Sequence, residues 1–423
     1  MALAPVPAPP APTRPRQAAA TGSYHELSAQ VREAGLLDRT PGFYFSLLAG
    51  LTAVLAGLVT AFVLLGHSWW QLLVAAGLGL VLTQFAFVAH EASHRQVLLT
   101  GPANDRLGRV LANGVVGISH SWWMTKHTRH HANPNRVGKD PDIEWDTISF
   151  LEEDAAKQKG FLAAITRRQG WLFFPLLALE GLNLHVLAFK SLIASAPSRA
   201  RTLELVILTA RLGIYVALVL WALPLGMAAA FLAVQLAVFG VYMGASFAPN
   251  HKGMAIIPAD SRLDFLSKQV LTSRNIGGGR FVTQLMGGLD AQIEHHLFPS
   301  MPRPHLARAR RMVREHCARV GMPYTETSLG AVLRAGGAVP QPRRPALTRP
   351  VRLPHGPAVP PALDALTPHA GARVAGSPPR AGAGARLTVA GATSAAMSGL
   401  PLGTAGARRR GAHCWGPGAG PGG

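Results

Sequence analysis

The pentapeptide HTRHH, residues 127–131, is the stretch around which this chain is organised. On a helix, residues three and four apart share a face, so His127, His130 and His131 are expected to present three imidazoles to one point. Three converging imidazoles are typical of a metal site. One such group is weak evidence by itself, since histidines at helical spacing also occur by chance on helix surfaces.

Two other stretches carry the same kind of spacing. HEASH (90–94) places two histidines four residues apart, and QIEHH (292–296) repeats the three-and-four spacing with Gln292, His295 and His296. Neutral imidazole is a ligand for iron, zinc, copper and nickel, and no single stretch completes a coordination sphere. Seven histidines exceed the need of one zinc ion, so the count fits two metal ions shared by all three stretches.

The composition indicates a membrane protein. Of 423 residues, 48% are hydrophobic and only 15% are charged, with long apolar runs between the charges. The net charge of +20 is explained better by basic residues flanking membrane spans than by nucleic-acid binding. Cys317 and Cys414 are too few for a disulfide framework or a thiolate metal site, so the ligands must be nitrogen and oxygen atoms.

Four apolar runs are predicted to cross the cell membrane as two hairpins, at residues 43–65, 71–88, 203–222 and 225–247. The first would extend about 34 Å as a helix, enough for a hydrocarbon core of about 30 Å. The hairpin tips lack Lys and Arg, which predicts the tips outside and both termini and all histidine stretches in the cytoplasm. The predicted fold is an all-α integral membrane protein whose cytoplasmic helical cap carries the histidines.

The remaining segments are assigned by composition and pattern. We expect a membrane domain over residues 23–334, within which three segments do not span and the last closes the domain. The expected segments are a disordered leader (1–22), an interfacial helix (24–40), an interfacial or re-entrant helix (103–117), a partly buried segment (171–193), a polar helix with a short closing element (306–334) and a disordered tail rich in Arg, Pro, Gly and Ala (335–423).

Several single residues complete the expectations. His251 follows the last span at the depth of the three stretches and is a candidate eighth ligand, whereas His120 and His185 are expected to form hydrogen bonds in packing. Arg211, inside the third span, is expected to pack between helices or to snorkel. Trp122 and Trp123 fit either a lipid tunnel or an interfacial pair. The acids that could orient imidazoles are Glu91, Asp140, Asp142, Glu144, Asp290 and Glu294, with Asp140 and Asp142 first.

HEASH, HTRHH and QIEHH, with the spans placed as above and FAPNHKGM (247–254) before the third stretch, resemble the membrane fatty acid desaturase family. QIEHHLFPSMPR (292–303), which opens with glutamine, is similar to the front-end or linoleoyl-CoA desaturase-like branch, which includes bacterial acyl desaturases. The resemblance covers roughly residues 24–328. It implies a di-iron centre that uses O₂ and two electrons to remove two hydrogens from an acyl chain.

The resemblance also implies which residues hold the iron. His251 matches an additional family histidine, Asn250 beside it would bind through water, and Gln292 stands where other branches carry histidine and is kept as a motif residue. No catalytic residue beyond the metal ligands is implied. The implied ligands are His90, His94, His127, His130, His131, His251, His295 and His296.

One departure from the family concerns the electron donor. Many front-end members carry a fused cytochrome b5 domain marked by His-Pro-Gly-Gly, and that run does not occur in this sequence. Electrons are therefore expected from a separate carrier, and a basic cytoplasmic face favours an acidic one such as a ferredoxin.

The sequence thus predicts an oxidoreductase that introduces a cis double bond into a fatty acyl-CoA or acyl-lipid chain. Hydroxylation or acetylenation on the same scaffold is the nearest alternative, because the position of the chain relative to the metals decides the product. A histidine-rich metal transporter is the alternative from another class. A transporter should carry ionisable residues along a path inside the spans, and internal repeats.

Overall fold

The computed structural model describes residues 15–144 and 151–331, so the predicted 335–423 tail lies outside it. The chain is mostly helical, with two short strands, β1 (Asn275–Gly277) and β2 (Glu326–Ser328). The helices are α1 (Pro15–Glu33), α2 (Pro41–Leu65), α3 (Gln71–Ser93), α4 (Gly101–Arg109), α5 (His120–Ala132), α6 (Glu152–Lys157), α7 (Gly160–Arg167), α8 (Gln169–Ala194), α9 (Arg199–Ala222), α10 (Leu225–His251), α11 (Phe265–Thr272), α12 (Gly279–Leu285), α13 (Gln292–Leu297) and α14 (Leu306–Arg319).

Five of the described helices, α2, α3, α8, α9 and α10, are long and apolar enough to cross a membrane. Four of them contain the four predicted spans. Helices α3 and α10 run beyond the predicted ends, to Ser93 and His251, so they carry histidines directly at their C-terminal ends. The fifth, α8, covers the segment for which we expected only partial burial. Together with the apolar surface of α2, which has no buried residue in its spanning part, these helices define an integral membrane protein.

Helix α10 packs against α3 on one side and α8 on the other, at distances that only glycine permits. A Cβ atom on Gly240 would lie 2.4 Å from the Gly181 nitrogen of α8, and one on Gly79 of α3 would lie 2.9 Å from the Gln235 carbonyl oxygen. Because backbones meet at these points, the end of α10 lies beside the end of α3. This packing brings His251 close to the first histidine stretch.

The segment predicted as re-entrant (103–117) forms two short consecutive helices, α4 and a π-helix at Val110–Val116. The π-helix ends at Gly117, whose φ of 91° is the left-handed conformation that glycine adopts easily. Helix α5 begins directly after this turn. Arg211 of α9 donates two hydrogen bonds to the Val115 carbonyl oxygen, which confirms the expected packing role of that arginine.

The predicted interfacial helix at residues 24–40 is instead part of the helical cap. Leu27, Val31 and Leu36 are fully buried among apolar side chains of α11, α13 and α14, and the Tyr24 hydroxyl donates to the Leu297 carbonyl oxygen. An amphipathic helix can bury its apolar face in lipid or in protein, and here protein contacts prevail. The helix begins at Pro15, within the predicted leader.

The all-α prediction needs a small correction. β1 and β2 pair in parallel, with Asn275 opposite Glu326 and Gly277 opposite Ser328. Each strand has three residues, too few to show a period-two pattern in the sequence. The pair ties the segment after α14 to the segment before α12. The expected polar helix and closing element after residue 306 are therefore confirmed.

Candidate metal centre

The eight predicted histidines come from four elements that meet at one place. His90 lies in the last turn of α3 and His94 caps its C-terminus, while His251 is the last residue of α10. Helix α5 supplies the three histidines of HTRHH, and the short helix α13 supplies His295 and His296. Stretches far apart in sequence are thus gathered into one pocket.

Within the described ranges, the histidines form two groups in which the nitrogens lie within 4.8 Å of one another. This corrects the prediction that all three histidines of HTRHH meet at one point. His127 and His131, four residues apart, share a face, whereas His130 points about 60° away because each residue turns the helix by about 100°. His295 and His296 are divided for the same reason. The first group is His90, His94, His127, His131 and His295; the second is His130, His251 and His296.

The first group fits a cation better than it fits hydrogen bonds. The Nε2 atom of His127 lies 2.9 Å from that of His90, 2.8 Å from that of His94 and 3.0 Å from that of His131. One imidazole nitrogen either donates one proton or accepts at one lone pair, so these three contacts cannot all be hydrogen bonds. Ligand nitrogens about 2.1 Å from a metal ion and at right angles lie about 3 Å apart, as observed here.

The second group has the tautomers that metal binding requires. His130 Nδ1 lies 3.0 Å from Asp140 Oδ1, His251 Nδ1 lies 2.9 Å from the Thr272 carbonyl oxygen, and His296 Nδ1 lies 2.9 Å from Gln269 Oε1. A carbonyl or carboxylate oxygen only accepts, so each Nδ1 carries a proton, and Nε2 of each ring is the nitrogen that a metal ion could bind. The three Nε2 atoms face one another, as the donor set of a metal ion would.

The electrostatics of the pocket keep most imidazoles neutral. Burial, together with the neighbouring imidazoles, holds the pKa values of His127, His131, His295 and His296 well below the usual value. Burial lowers the pKa of His94 to about 4. Neutral imidazoles at pH 7 have free lone pairs for a metal ion.

His130 is the exception, because its ring lies beside two carboxylates. Burial lowers its pKa, but Asp142 and Asp140 outweigh that effect and raise the pKa above the usual value. For Asp142 the effects have the opposite signs. Burial raises its pKa, but the positive charges of Lys126 and His130 outweigh burial and lower the pKa to about 2. The ionised Asp142 carboxylate thus lies beside a ring that belongs to the second group.

Of the six acids considered from the sequence, Asp140 and Asp142 contact a histidine side chain in the part of the chain that the structure describes. The other four pair with side chains other than histidine. Glu91 binds Arg303 and the Tyr44 hydroxyl, while Glu294 accepts hydrogen bonds from Asn275 and Tyr324. Asp290 and Glu144 form their pairs with Arg310 and Arg129.

Two amides lie beside the second group. Gln292 Nε2 lies 2.9 Å from His251 Nε2, and Asn250 Nδ2 donates to Gln292 Oε1 over 3.2 Å. Gln269, which the sequence analysis missed, is fully buried and bridges both groups: its amide donates to the His131 carbonyl oxygen and its oxygen accepts from His296. No sequence pattern marks a single glutamine in α11, so only its contacts identify it.

Among the remaining residues singled out in the sequence, one tryptophan borders the pocket and two histidines lie outside it. Trp123 stacks on His127 with ring centroids 4.9 Å apart and also packs against Phe247, so it borders the pocket. His120 is buried near the Ser93 hydroxyl, and His185 Nδ1 lies 2.6 Å from the Gly181 carbonyl oxygen. Both histidines form the packing hydrogen bonds that were expected.

The fold and site define a helical membrane protein with two groups of buried imidazoles that could hold metal ions. Residues 67–328 match the family model described as fatty acid desaturase. The match covers more than half of the chain, and the chain belongs to the fatty acid desaturase family. Membership confirms the membrane acyl desaturase prediction over the metal transporter, and identifies an oxidoreductase of a family that uses iron.

Named relatives agree with this assignment. The chain is 30% identical over 328 residues to Delta(5) fatty acid desaturase fat-4 of Caenorhabditis elegans, covering 73% of this chain and 71% of the relative. It is 29% identical over 316 residues to Delta(6)-fatty-acid desaturase fat-3 of the same organism, covering 71% and 70%. It is 28% identical over 330 residues to Delta(8)-fatty-acid desaturase 2 of Arabidopsis thaliana, covering 72% and 71%. The predicted resemblance to front-end desaturases is therefore confirmed.

Proposed function

We propose that the two groups of imidazoles hold two iron ions, and that the enzyme uses O₂ to place a cis double bond in a fatty acyl-CoA or acyl-lipid chain. The observation that carries this proposal is the close approach of Nε2 atoms in two separate groups, one of five histidines and one of three. The eight ligands are those inferred from the sequence, with His251 among them. The family of this chain and the names of its relatives supply the acyl substrate.

In the proposed reaction, –CH₂–CH₂– with O₂, two electrons and two protons gives –CH=CH– and two molecules of water. Iron would supply the activation of O₂. The protein positions the ligands and excludes water. Bulk water is largely kept from five of the rings, which are each 7% exposed or less: His90, His127, His130, His295 and His296. Asp140, Gln269 and the Thr272 carbonyl oxygen orient the second group of rings.

We propose four membrane spans in two hairpins, with α8 not crossing completely. His131 and His251 belong to one pocket, and three complete crossings between them would leave them on opposite sides of the membrane. Compared over the most apolar stretch of each helix, α8 is less apolar than α9 and α10, and it carries Glu180 and Lys190. Cysteines introduced at Lys159 and Ser195, in a chain with both natural cysteines changed to serine, should react from the same side of sealed vesicles.

The proposed orientation places the histidine pocket and both termini in the cytoplasm, because the tips of the two hairpins lack basic residues. We also propose residues 23–334 as the desaturase domain, between a leader (1–22) and a tail (335–423). The match to the family model lies inside those limits. A chain ending at Arg334 should therefore retain activity.

We propose that electrons come from a separate acidic carrier of the ferredoxin type. The charge of the chain, +20, supports attraction of such a partner. Turnover driven by an acidic ferredoxin should then fall as salt is raised, because the Debye length shortens from about 10 Å at 0.1 M to about 3 Å at 1 M. Turnover that is unaffected by salt would contradict this choice of partner.

Product analysis tests the function. The full chain is expressed in a host that lacks polyunsaturated lipids, and fatty acid methyl esters are separated by gas chromatography. We expect a new alkene, whose position the same analysis assigns, and its loss in His130→Ala. A hydroxylated product would show the alternative reaction on this scaffold, and an alkene that persists in His130→Ala would contradict the assignment of ligands.

A further inference from the structure

Within its apolar part, residues 203–222, helix α9 carries two charged residues, Glu204 and Arg211. They are seven residues apart, which places them on one face and about 10 Å apart along the axis. A charge inside a membrane is costly unless a partner satisfies it. Arg211 reaches the end of the π-helix and Glu204 reaches the start of α5, so the two side chains bind the two sides of the turn between these helices.

Glu204 binds the start of α5. Its Oε1 accepts hydrogen bonds from the Ser119 hydroxyl over 2.6 Å and from the Ser121 backbone nitrogen over 3.1 Å. Ser119 is the N-cap of α5, and its hydroxyl oxygen also accepts from the Trp122 nitrogen. A carboxylate at a helix N-terminus is stabilised by the exposed N–H groups and by the helix dipole.

Arg211 binds the other side of the same turn. Its Nε and Nη2 donate to the Val115 carbonyl oxygen over 3.0 and 2.7 Å. Between the two contacts lies Gly117, where a Cβ atom would lie 3.0 Å from a Leu212 methyl carbon and 3.3 Å from Arg211 Cδ. The turn is therefore pressed against α9 as well as bonded to it.

The direction of α5 decides whether its histidines reach the pocket. His127 lies seven residues after His120, about 10 Å along the axis, so a tilt of about 5° at the N-terminus moves it by roughly 1 Å. Metal sites require ligand distances within about 0.2 Å of their usual values. A small change at the turn is thus amplified into a misplaced ligand.

We propose that Glu204 and Arg211 are positioning residues for the second histidine stretch: they fix the start and the direction of α5 and so hold His127 and His131 in the first group. This inference rests on the proposed metal centre. It gives both intramembrane charges a role in the site although neither touches an imidazole. It also explains why an acid and a base lie on the same face of α9.

The test measures metal binding by the full chain in lipid nanodiscs, without turnover. Metal-free protein is titrated with Co²⁺, and visible absorption reports the affinity and geometry of each site. The disruptive variants are Glu204→Ala and Arg211→Met, and the conservative one is Glu204→Gln, whose amide oxygen still accepts hydrogen bonds. Arg201→Met is the matched control, because Arg201 on the same helix also donates to backbone oxygens, those of Leu192 and Ile193 in α8.

We expect Glu204→Ala and Arg211→Met to weaken Co²⁺ binding at one site at least tenfold and to change its spectrum. Glu204→Gln should stay within about twofold of the wild type, and Arg201→Met should bind as the wild type does. Equal binding in Arg211→Met and Arg201→Met would overturn the inference, as would equal losses in Glu204→Gln and Glu204→Ala. A wild type that binds no Co²⁺ would refute the metal centre itself.

A milder variant covers the case in which the disruptive ones do not fold. Ser119→Ala removes the hydroxyl that links Glu204 to the Trp122 nitrogen, while leaving the carboxylate and its bond to Ser121 in place. Loss of one N-cap hydroxyl destabilises a protein only modestly, so this variant should fold. A smaller shift of the same spectrum supports the inference, and an unchanged spectrum overturns it.

Discussion

Replacing Gln269 by leucine tests how the two groups of histidines are oriented. Gln269 is fully buried, donates to the His131 carbonyl oxygen and accepts from His296 Nδ1, each over 2.9 Å. Leucine would leave the His131 carbonyl oxygen and the His296 N–H without a hydrogen-bond partner, at a cost of about 1–3 kcal/mol each, or about 2–6 kcal/mol in total. His296 can avoid part of that cost by moving its proton to Nε2. It then loses the lone pair that a metal ion needs.

The expected result is therefore a loss of metal affinity as well as of stability. Removal of a group that orients a metal-binding histidine typically weakens metal binding about 10–100-fold. Metal content by mass spectrometry and competition with a chelator measure the first effect, and the thermal midpoint in detergent measures the second. Gln269→Glu keeps an acceptor for His296, so it should retain more metal than Gln269→Leu.

Gln71→Leu is the matched control. Gln71 is also fully buried and donates two hydrogen bonds to backbone oxygens, those of Phe62 and Gly66, at the tip of the first hairpin. It should lower the thermal midpoint without changing metal affinity. If Gln269→Leu and Gln71→Leu bound metal equally well, Gln269 would not orient His296, and the reasoning from tautomers would fail.

Three further predictions follow from the packing and the charges. Asp140→Asn should lower the pKa of His130 and weaken metal binding about 10–100-fold, measured by chelator competition, because the ring loses an ionised partner. The metal-free protein should lose stability as pH falls from 6.5 towards 4, since His94, whose pKa is lowered to about 4, stays neutral while the unfolded chain takes up protons. Each such histidine lowers the free energy of unfolding by about 1.4 kcal/mol per pH unit, which thermal melts record as a falling midpoint, and a flat profile would contradict this. Gly240→Ala should lower the free energy of unfolding by about 1–3 kcal/mol or more, seen as a lower thermal midpoint, because its Cβ would lie 2.4 Å from the Gly181 nitrogen. Gly57→Ala, with open space around it, should leave the midpoint unchanged.

The spans and the histidine pocket could be predicted because both depend on repeating patterns. Apolar runs of bilayer length stand out in the sequence, and histidines spaced three and four apart identify the helix faces that meet. His251 was predicted as a ligand from the side of the membrane on which each span was expected to end. Its ring contacts His130 Nε2 over 3.3 Å, as that reasoning required.

The division into two groups could not be predicted, because it depends on how α5 and α13 are rotated relative to each other. His130 and His131 are neighbours in sequence but belong to different groups. Gln269 and Glu204 were missed because each is a single polar residue outside any motif. Gln269 contacts His131 and His296 in two other helices, and Glu204 contacts the cap of α5, 85 residues earlier in the chain. The cap helix α1 was misplaced because its apolar face suits lipid and protein equally.

The burial of α1 has a consequence for the order in which the protein is made. Leu27 and Val31 leave the ribosome before α2, α3, α8, α9 and α10, yet their partners, such as Val270 and Val313, are translated only after α10. The first helix must therefore wait, with its apolar face uncovered, until nearly all of the domain has been synthesised and inserted. Closure of the cap over the third histidine stretch is thus set to be a late event in biogenesis.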